Sequence, residues 1–487
     1  MIEYPVRESS LKTVDPKSVE ATNPYVKLVK NQRIVEVPEL ELESGVVLKN
    51  FPIAYKTWGE LNERGDNVIV VCHALTGSSD VSDWWGPLLG PDLAFDISRF
   101  LVVCLNSMGS PYGSFSPMNI NAETGEPYGP EFPLCTVRDD VRAHRIVLDS
   151  LGVKSIACVV GGSMGGMLAL EWSVTYGKAY VKNMVALATS ARHSAWCISW
   201  SEAQRQSIYS DPNYLDGYYS HENPPVVGLS AARMSALLTY RSRNSFENKF
   251  SRRSPSAAQQ EKSNKQLVKP KLSNLQEHNL SIHNDGHRGS IAQERKSSIS
   301  SDTSSNDSLR SVSSSTSTSS VVTLSKNSRT IKPAQTYFSA QSYLRYQGKK
   351  FIDRFDANCY ISITRKLDTH DLARERFEYE EDLDRVLKSI EQPSLVIGIK
   401  SDGLFTYSEQ EYLAANIPNS KLEKIDSPEG HDAFLLEFKL INELIINFLR
   451  ENVKEITESP PRLWQDFSER EIVKNSLFGE AEEVTNW

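Results

Sequence analysis

The chain has 487 residues, enough for two or three average domains, or for one α/β domain with insertions, and enough to bury a sizeable core. Its 54 basic and 62 acidic residues leave a formal net charge of −8, which argues against a general nucleic-acid or anionic-membrane surface. No apolar run approaches the roughly 18 residues of a membrane span, and the charged start MIEYPVRESSLKTVDPKSVE reads as neither a secretory signal nor an Arg-rich transit peptide. Cys72, Cys104, Cys135, Cys158, Cys197 and Cys359 are scattered without CxxC spacing, as expected of buried thiols in a reducing compartment. The expectation is a soluble, cytoplasmic protein.

Residues 1–38 read as an N-terminal extension, and 39–192 as the first part of an α/β core. Within that part, short β-branched runs alternate with Gly- or Ser-rich loops and helical patterns. The strand-like runs are NVIVVCHAL (67–75), RFLVVCLNS (99–107), SIACVVGGS (155–163) and NMVALATSA (183–191). Such near-continuous apolar runs suit strands covered on both faces, the signature of a mostly parallel sheet flanked by helices. Between them, Thr136 to Val153 reads as a helix with Thr136 and Asp139 in capping-box spacing, Gly152 near its stop, and Val141, Ile146, Val147 and Leu148 turned to the sheet.

Residues 193–390 read as an inserted helical subdomain with aromatic-rich helices, and within it a polar segment at about 247–332 culminates in SSISSDTSSNDSLRSVSSSTSTSS. That segment has too little apolar surface to offset its ordering entropy and is expected to be a disordered insertion. The core resumes at 391–452 with the strand-like PSLVIGIKSDG (393–403) and an amphipathic helix over Ala433 to Leu449; 453–487 is a tail with no derivable function.

Gly161, Gly162, Ser163, Met164 and Gly165 form a G-x-S-x-G directly after a strand and before a helix, the context of a nucleophile elbow. In such a turn the serine is strained, and small neighbours let strand and helix pass close by. A phosphate-binding or purely packing turn is the plainer alternative. A serine nucleophile needs a base and an orienting carboxylate, which in the hydrolase-type order follow it in the chain. Of nine histidines only His431, in the loop SPEGHDAF, follows the last strand-like run, and Asp402 ends that run. Asp426 and Glu429 lie nearer His431 in sequence without strand-end placement, while His73 and His193 also flank strand ends. The oxyanion donors expected from this arrangement are the backbone N–H groups of Met164 and of Leu75 in the loop HALTG. The dispersed histidines and the absence of HExxH and GxGxxG give no sign of a metal or a dinucleotide cofactor.

The motifs YKTWGELN (55–62), CHALTGSSD (72–80), NSMGSPYGSFSP (106–117), FPLCTVRDDVRAH (132–144), GGSMGGM (161–167), GLSAARMSALLTYRSR (228–243), SDGLF (401–405) and GHDAFL (430–435) together resemble the homoserine O-acetyltransferase family, most of all its fungal branch. The resemblance implies an α/β-hydrolase fold with a helical lid, acetyl-CoA as co-substrate rather than bound cofactor, L-homoserine as acceptor, and a ping-pong reaction through an acetylated Ser163. It further implies that Arg233 and Asp432 meet the amino acid's carboxylate and amine, and a homodimer formed through the lid. Arg233, Leu237 and Tyr240 have the spacing of one helix face, so a guanidinium and a phenol can point together, and a guanidinium suits bidentate carboxylate capture. Without the resemblance, Arg233 reads as half of a surface ion pair and Asp432 as an acid at a helix N-terminus. A hydrolase with the same triad, a non-catalytic scaffold, and an acyltransferase using serine or succinyl-CoA are the competing readings.

Overall fold

The computed structural model describes residues 9–254, 275–287, 338–376 and 382–462. Nine strands form one sheet: β1 (Thr13–Val14), β2 (Arg33–Glu41), β3 (Val47–Trp58), β4 (Val68–Cys72), β5 (Leu101–Leu105), β6 (Ile156–Gly162), β7 (Met184–Leu187), β8 (Ser394–Ile399) and β9 (Ser420–Ile425). Their order is β1-β2-β3-β5-β4-β6-β7-β8-β9. The pairs from β1 to β5 are antiparallel, and those from β5 through β4 to β9 are parallel. All five expected strand-like runs are strands of the parallel part.

Their continuous hydrophobicity has a direct cause. Val68, Val70 and Cys72 of β4 enter one core layer, while Ile69 and Val71 enter the other, so both faces are covered. On the first face lie α1 (Val137–Ser150) and α2 (Met164–Tyr180), and on the second lies a long helix near the C-terminus. The capping box forms as expected: the Asp139 N–H donates to Thr136 Oγ1 at 3.2 Å and the Thr136 N–H to Asp139 Oδ2 at 2.9 Å. Val141, Val147 and Leu148 of α1 are buried, with Ile146 partly so.

Further helices are α3 (Ala195–Tyr209), α4 (Val226–Tyr240), α5 (Ala357–Asp368), α6 (Tyr407–Asn416) and α7 (Phe438–Asn452). Lys366 of α5 is buried in an ion pair with Asp140 of α1 and donates to Met108 O at 2.8 Å, while the Met108 N–H donates to Asp140 Oδ1, also at 2.8 Å. This charge pair ties α5 to α1 and to the loop after β5.

The boundaries differ from expectation in four places. β2 crosses the expected limit at residue 38, because it pairs with β3 along its length and buries Ile34, Val35, Val37 and Leu40. β9, SKLEKI, is a charged edge strand with no apolar run to announce it. The expected helix over 433–449 is broken at Glu437 (φ −84°, ψ 47°) into Ala433–Leu436 and α7. Residues 193–390 fall between β7 and β8 with only helical elements among those described, but the segment expected to be disordered is not structureless throughout: the chain divides into a compact unit of Met1–Lys249 with Gln347–Trp487 and a second of Phe250–Tyr346. The second contains a helix, Leu275–His283, inside the segment expected to lack structure, an ion pair of Arg345 with Asp285 at 3.0 Å, and Phe250 against Tyr343. The Ser-rich run itself and most of the C-terminal tail lie outside the described residues.

Candidate active site

The parallel strands reverse their order of addition at β4, with β5 on one side and β6 on the other, so the loops after β4 and β6 meet at a topological switch point. At the end of β6 the chain turns at Ser163 straight into α2. Ser163 has φ 59° and ψ −127°, a sparsely populated conformation for a non-glycine residue, costing of the order of 1–3 kcal/mol. Its surroundings hold it there: the Ser163 N–H donates to Leu187 O at 3.0 Å, and its carbonyl accepts from Thr189 Oγ1 at 2.8 Å and from the Gly166 N–H at 2.9 Å. A Cβ on Gly161 would lie 2.0 Å from the Gly165 carbonyl oxygen, and one on Gly165 would lie 2.1 Å from that of Cys72. Close backbone approach therefore demands both glycines and sets the elbow against the end of β4.

The Met164 N–H opens the first turn of α2, where intrahelical acceptors are lacking. Neither this amide nor that of Leu75 donates to an acceptor among the described residues. The loop carrying Leu75 is fixed by His73, fully buried, whose Nε2 accepts from the Ser107 N–H at 2.9 Å, leaving Nδ1–H to donate to Ala74 O at 2.8 Å. Burial lowers the His73 pKa to about 4, against the smaller opposing pull of Ala74 and Asp140, which keeps this tautomer neutral.

Asp402 follows β8, and His431 lies in the one-turn helix Gly430–Asp432 after β9. Asp402 Oδ2 meets His431 Nδ1 at 2.7 Å, and Oδ1 accepts from the N–H groups of Leu404 (2.8 Å) and Phe405 (3.0 Å), which orients the carboxylate. The two loops are joined by Ser401, whose hydroxyl donates to Ser427 O at 2.6 Å and accepts from the Gly430 N–H at 2.9 Å. The His431 ring is packed between Phe405 and Phe434, with Tyr240 also adjacent. Burial opposes its protonation, but the charge and hydrogen bond of Asp402, with Asp432 and Glu409 nearby, outweigh it and raise its pKa above 6.5. Burial and the Asp402 charge push the Glu409 carboxyl up to about 7.

Ser163, His431, Leu75, Tyr240 and Asp432 all line one cavity of about 100 Å³. The Ser163 hydroxyl is not hydrogen-bonded to the imidazole. Asp426 instead pairs with Lys400 in solvent at 3.3 Å, and Glu429 with Arg241 and the Ser245 hydroxyl. Arg233 is not on the surface: it is 1 % exposed, its guanidinium 5.3 Å from the Tyr240 ring and 4.8 Å from that of Phe351, one layer behind the cavity wall. Leu237 and Tyr240 share its helix face in α4, as the spacing required.

Asp432 does stand before a short helix, yet it is buried and paired with Arg241 Nε at 2.9 Å. Burial raises its pKa, with Arg241, His431 and Arg233 pulling the other way. Arg241 and Ser401 lie in motifs that carry the family resemblance but were not singled out, because each acts through a contact distant in the chain. Among the described residues no group of three or more His, Cys, Asp or Glu side chains is arranged to hold a metal.

A family model described as alpha/beta hydrolase fold matches residues 67–282. A curated homoserine O-acetyltransferase of Saccharomyces pastorianus is 70% identical over 492 aligned residues, covering 99% of this chain and 100% of that one. Among solved structures, esterase E22 (TM-score 0.65, 22% identity, covering 86% of this chain and 99% of that one) and a homoserine O-acetyltransferase from Bacillus anthracis (TM-score 0.65, 21% identity, covering 87% and 98%) share the fold. The strand order, the strained serine at the switch point and near-complete alignment to fungal relatives converge: the chain belongs to the homoserine O-acetyltransferase family, within the α/β-hydrolase fold.

Proposed function

We propose that this protein transfers the acetyl group of acetyl-CoA to the γ-hydroxyl of L-homoserine in two steps through an acetylated Ser163. His431, oriented by Asp402, takes the Ser163 proton as the hydroxyl oxygen attacks the thioester carbonyl. The oxyanion is held by the amides of Met164 and Leu75, with the N-terminus of α2 favouring the negative charge. Collapse expels the CoA thiolate, which takes the proton from His431. In the second step His431 deprotonates the homoserine hydroxyl, whose oxygen attacks the acetyl-serine, and the released Ser163 alkoxide regains the proton.

Tyr240 and Asp432 face the acceptor, Asp432 meeting its ammonium group, while Arg233 behind Tyr240 supplies positive charge toward its carboxylate. Acetyl-CoA enters as a co-substrate and leaves as free CoA, and no resident cofactor takes part.

The observation that carries this reading is the buried Asp402–His431 pair at 2.7 Å, sharing a cavity with a serine in a strained elbow. The test mixes the protein with acetyl-CoA and follows thiol release with and without homoserine, with mass spectrometry of the Ser163 peptide. A stoichiometric burst, an acetylated Ser163 and sustained release only with homoserine are expected; sustained release without it would make the protein a hydrolase. Competition of acetyl-CoA against succinyl-CoA, and of homoserine against serine, fixes the substrates, with the first of each pair expected to win.

A further inference from the structure

The cavity has a polar wall that the acetyl-transfer scheme leaves unused. His193 lies between β7 and α3, lines the cavity with Ser163 and His431, and is 6 % exposed, yet neither ring nitrogen has a hydrogen-bond partner. Trp200, one turn into α3, lines the same cavity, and its indole N–H is likewise buried and unpaired. Phe405 touches both His193 and His431, with ring centroids 6.0 Å and 5.3 Å away, so this wall is one aromatic ring from the base.

Buried polar atoms with no partner are costly, and three of them on two residues that line one cavity indicate groups kept for a ligand. Burial, reinforced by the charges of His370 and Arg205, lowers the His193 pKa to about 3, so the ring is neutral at physiological pH. A neutral imidazole presents one N–H donor and one lone pair, and the indole adds a second donor. Such a set offers a carboxylate or ammonium group no charge. It matches a neutral secondary amide, whose carbonyl accepts and whose N–H donates. The charged ends of the acceptor already have Asp432 and Arg233; the amides of an acyl-thioester's carrier arm have no assigned partner.

We infer that His193 and Trp200 form an amide-recognition subsite that holds the carrier arm of the acyl donor and so selects amide-bearing thioesters. This rests on the acetyl-transfer reading above. His193 binds and positions; it does not replace His431 as base.

The test compares wild type, His193→Leu, His193→Gln and Trp200→Phe with three donors at saturating homoserine: acetyl-CoA, S-acetyl-N-acetylcysteamine, which keeps one amide, and S-ethyl thioacetate, which has none. His193→Leu and Trp200→Phe are each expected to lower kcat/KM about five- to tenfold for the amide-bearing donors. Both should leave S-ethyl thioacetate and the KM for homoserine within about twofold, and His193→Gln, which keeps a donor and an acceptor, should recover much of the loss. Equal losses on all three donors, a change confined to homoserine, or no loss overturns the subsite. Where His193→Leu fails to fold, Trp200→Phe, which keeps the ring and removes only the N–H, decides alone. A wild-type protein that acetylates homoserine from no donor overturns the acetyl-transfer reading, and this inference with it.

Discussion

Replacing Asp402 by Asn tests how the carboxylate orients and stabilises the His431 ring, with little change in volume. Asp402 Oδ1 is held by two backbone N–H groups and Oδ2 faces His431 Nδ1 at 2.7 Å. An Asn keeping its oxygen toward those donors turns its NH₂ to Nδ1, which must then accept, placing the ring proton on Nε2, where it cannot receive a proton from Ser163. The lost attraction between carboxylate and imidazolium is about 4 kcal/mol for charges ~4 Å apart at an effective dielectric of about 20. That alone is roughly a thousandfold in rate, and the reversed tautomer extends it toward about ten-thousandfold.

The pH profile supplies a second readout. His431 must be neutral to act as base, so kcat/KM falls as pH drops through its pKa, which in the wild type lies above 6.5. In Asp402→Asn the raising charge is gone while burial still disfavours the imidazolium, so the acid limb moves to lower pH. The assay is steady-state thiol release from acetyl-CoA with homoserine between pH 5 and pH 9. A loss smaller than about tenfold, or an acid limb that stays in place, would refute the orienting role of Asp402.

Ser163→Ala is expected to abolish burst and turnover while the thermal unfolding temperature stays within about 2 °C, since only an oxygen is removed; residual turnover at wild-type rate would reject the nucleophile. Gly165→Ala drives a Cβ into the Cys72 carbonyl and should destabilise by about 3 kcal/mol or more, whereas Gly86→Ala, with open space around it, serves as a near-neutral control; equal denaturation midpoints would contradict the close packing. Lys366→Met strands the buried Asp140 carboxylate and should cost roughly 3–5 kcal/mol, read as a shift in urea midpoint. His73, His144 and His370 are buried, and burial lowers each pKa to about 4. Unfolded histidines bind protons near pH 6.5, so stability is lost as pH falls from about 6.5 toward 4, by about 2 kcal/mol per histidine at pH 5; calorimetry showing the same unfolding temperature at pH 7 and pH 5 would disprove this.

The parallel strands were legible because burial on both faces forces continuous Val, Ile and Cys runs, and the capping box of α1 because its two hydrogen bonds join residues three apart. The elbow was legible for a similar reason: Gly161 and Gly165 answer to backbone contacts at the turn itself. β9 and the break at Glu437 were not, since an edge strand carries no buried run and no Pro or Gly stands at the break to announce it. His193 was visible only as one of several histidines near strand ends; burial and its unpaired nitrogens are what distinguish it.

Sequence alone therefore determined the class of fold, the strained serine and the chain order of the residues that serve it, because each depends on local periodicity, local sterics or strand-end placement. Tertiary structure decided which charges meet. Arg233 reads equally well as a surface cation, yet it is sealed behind Tyr240, and Asp432 finds its countercharge in Arg241, almost two hundred residues earlier in the chain. Ion pairs and cavity walls of this kind depend on distances between elements remote in sequence, which no local pattern encodes.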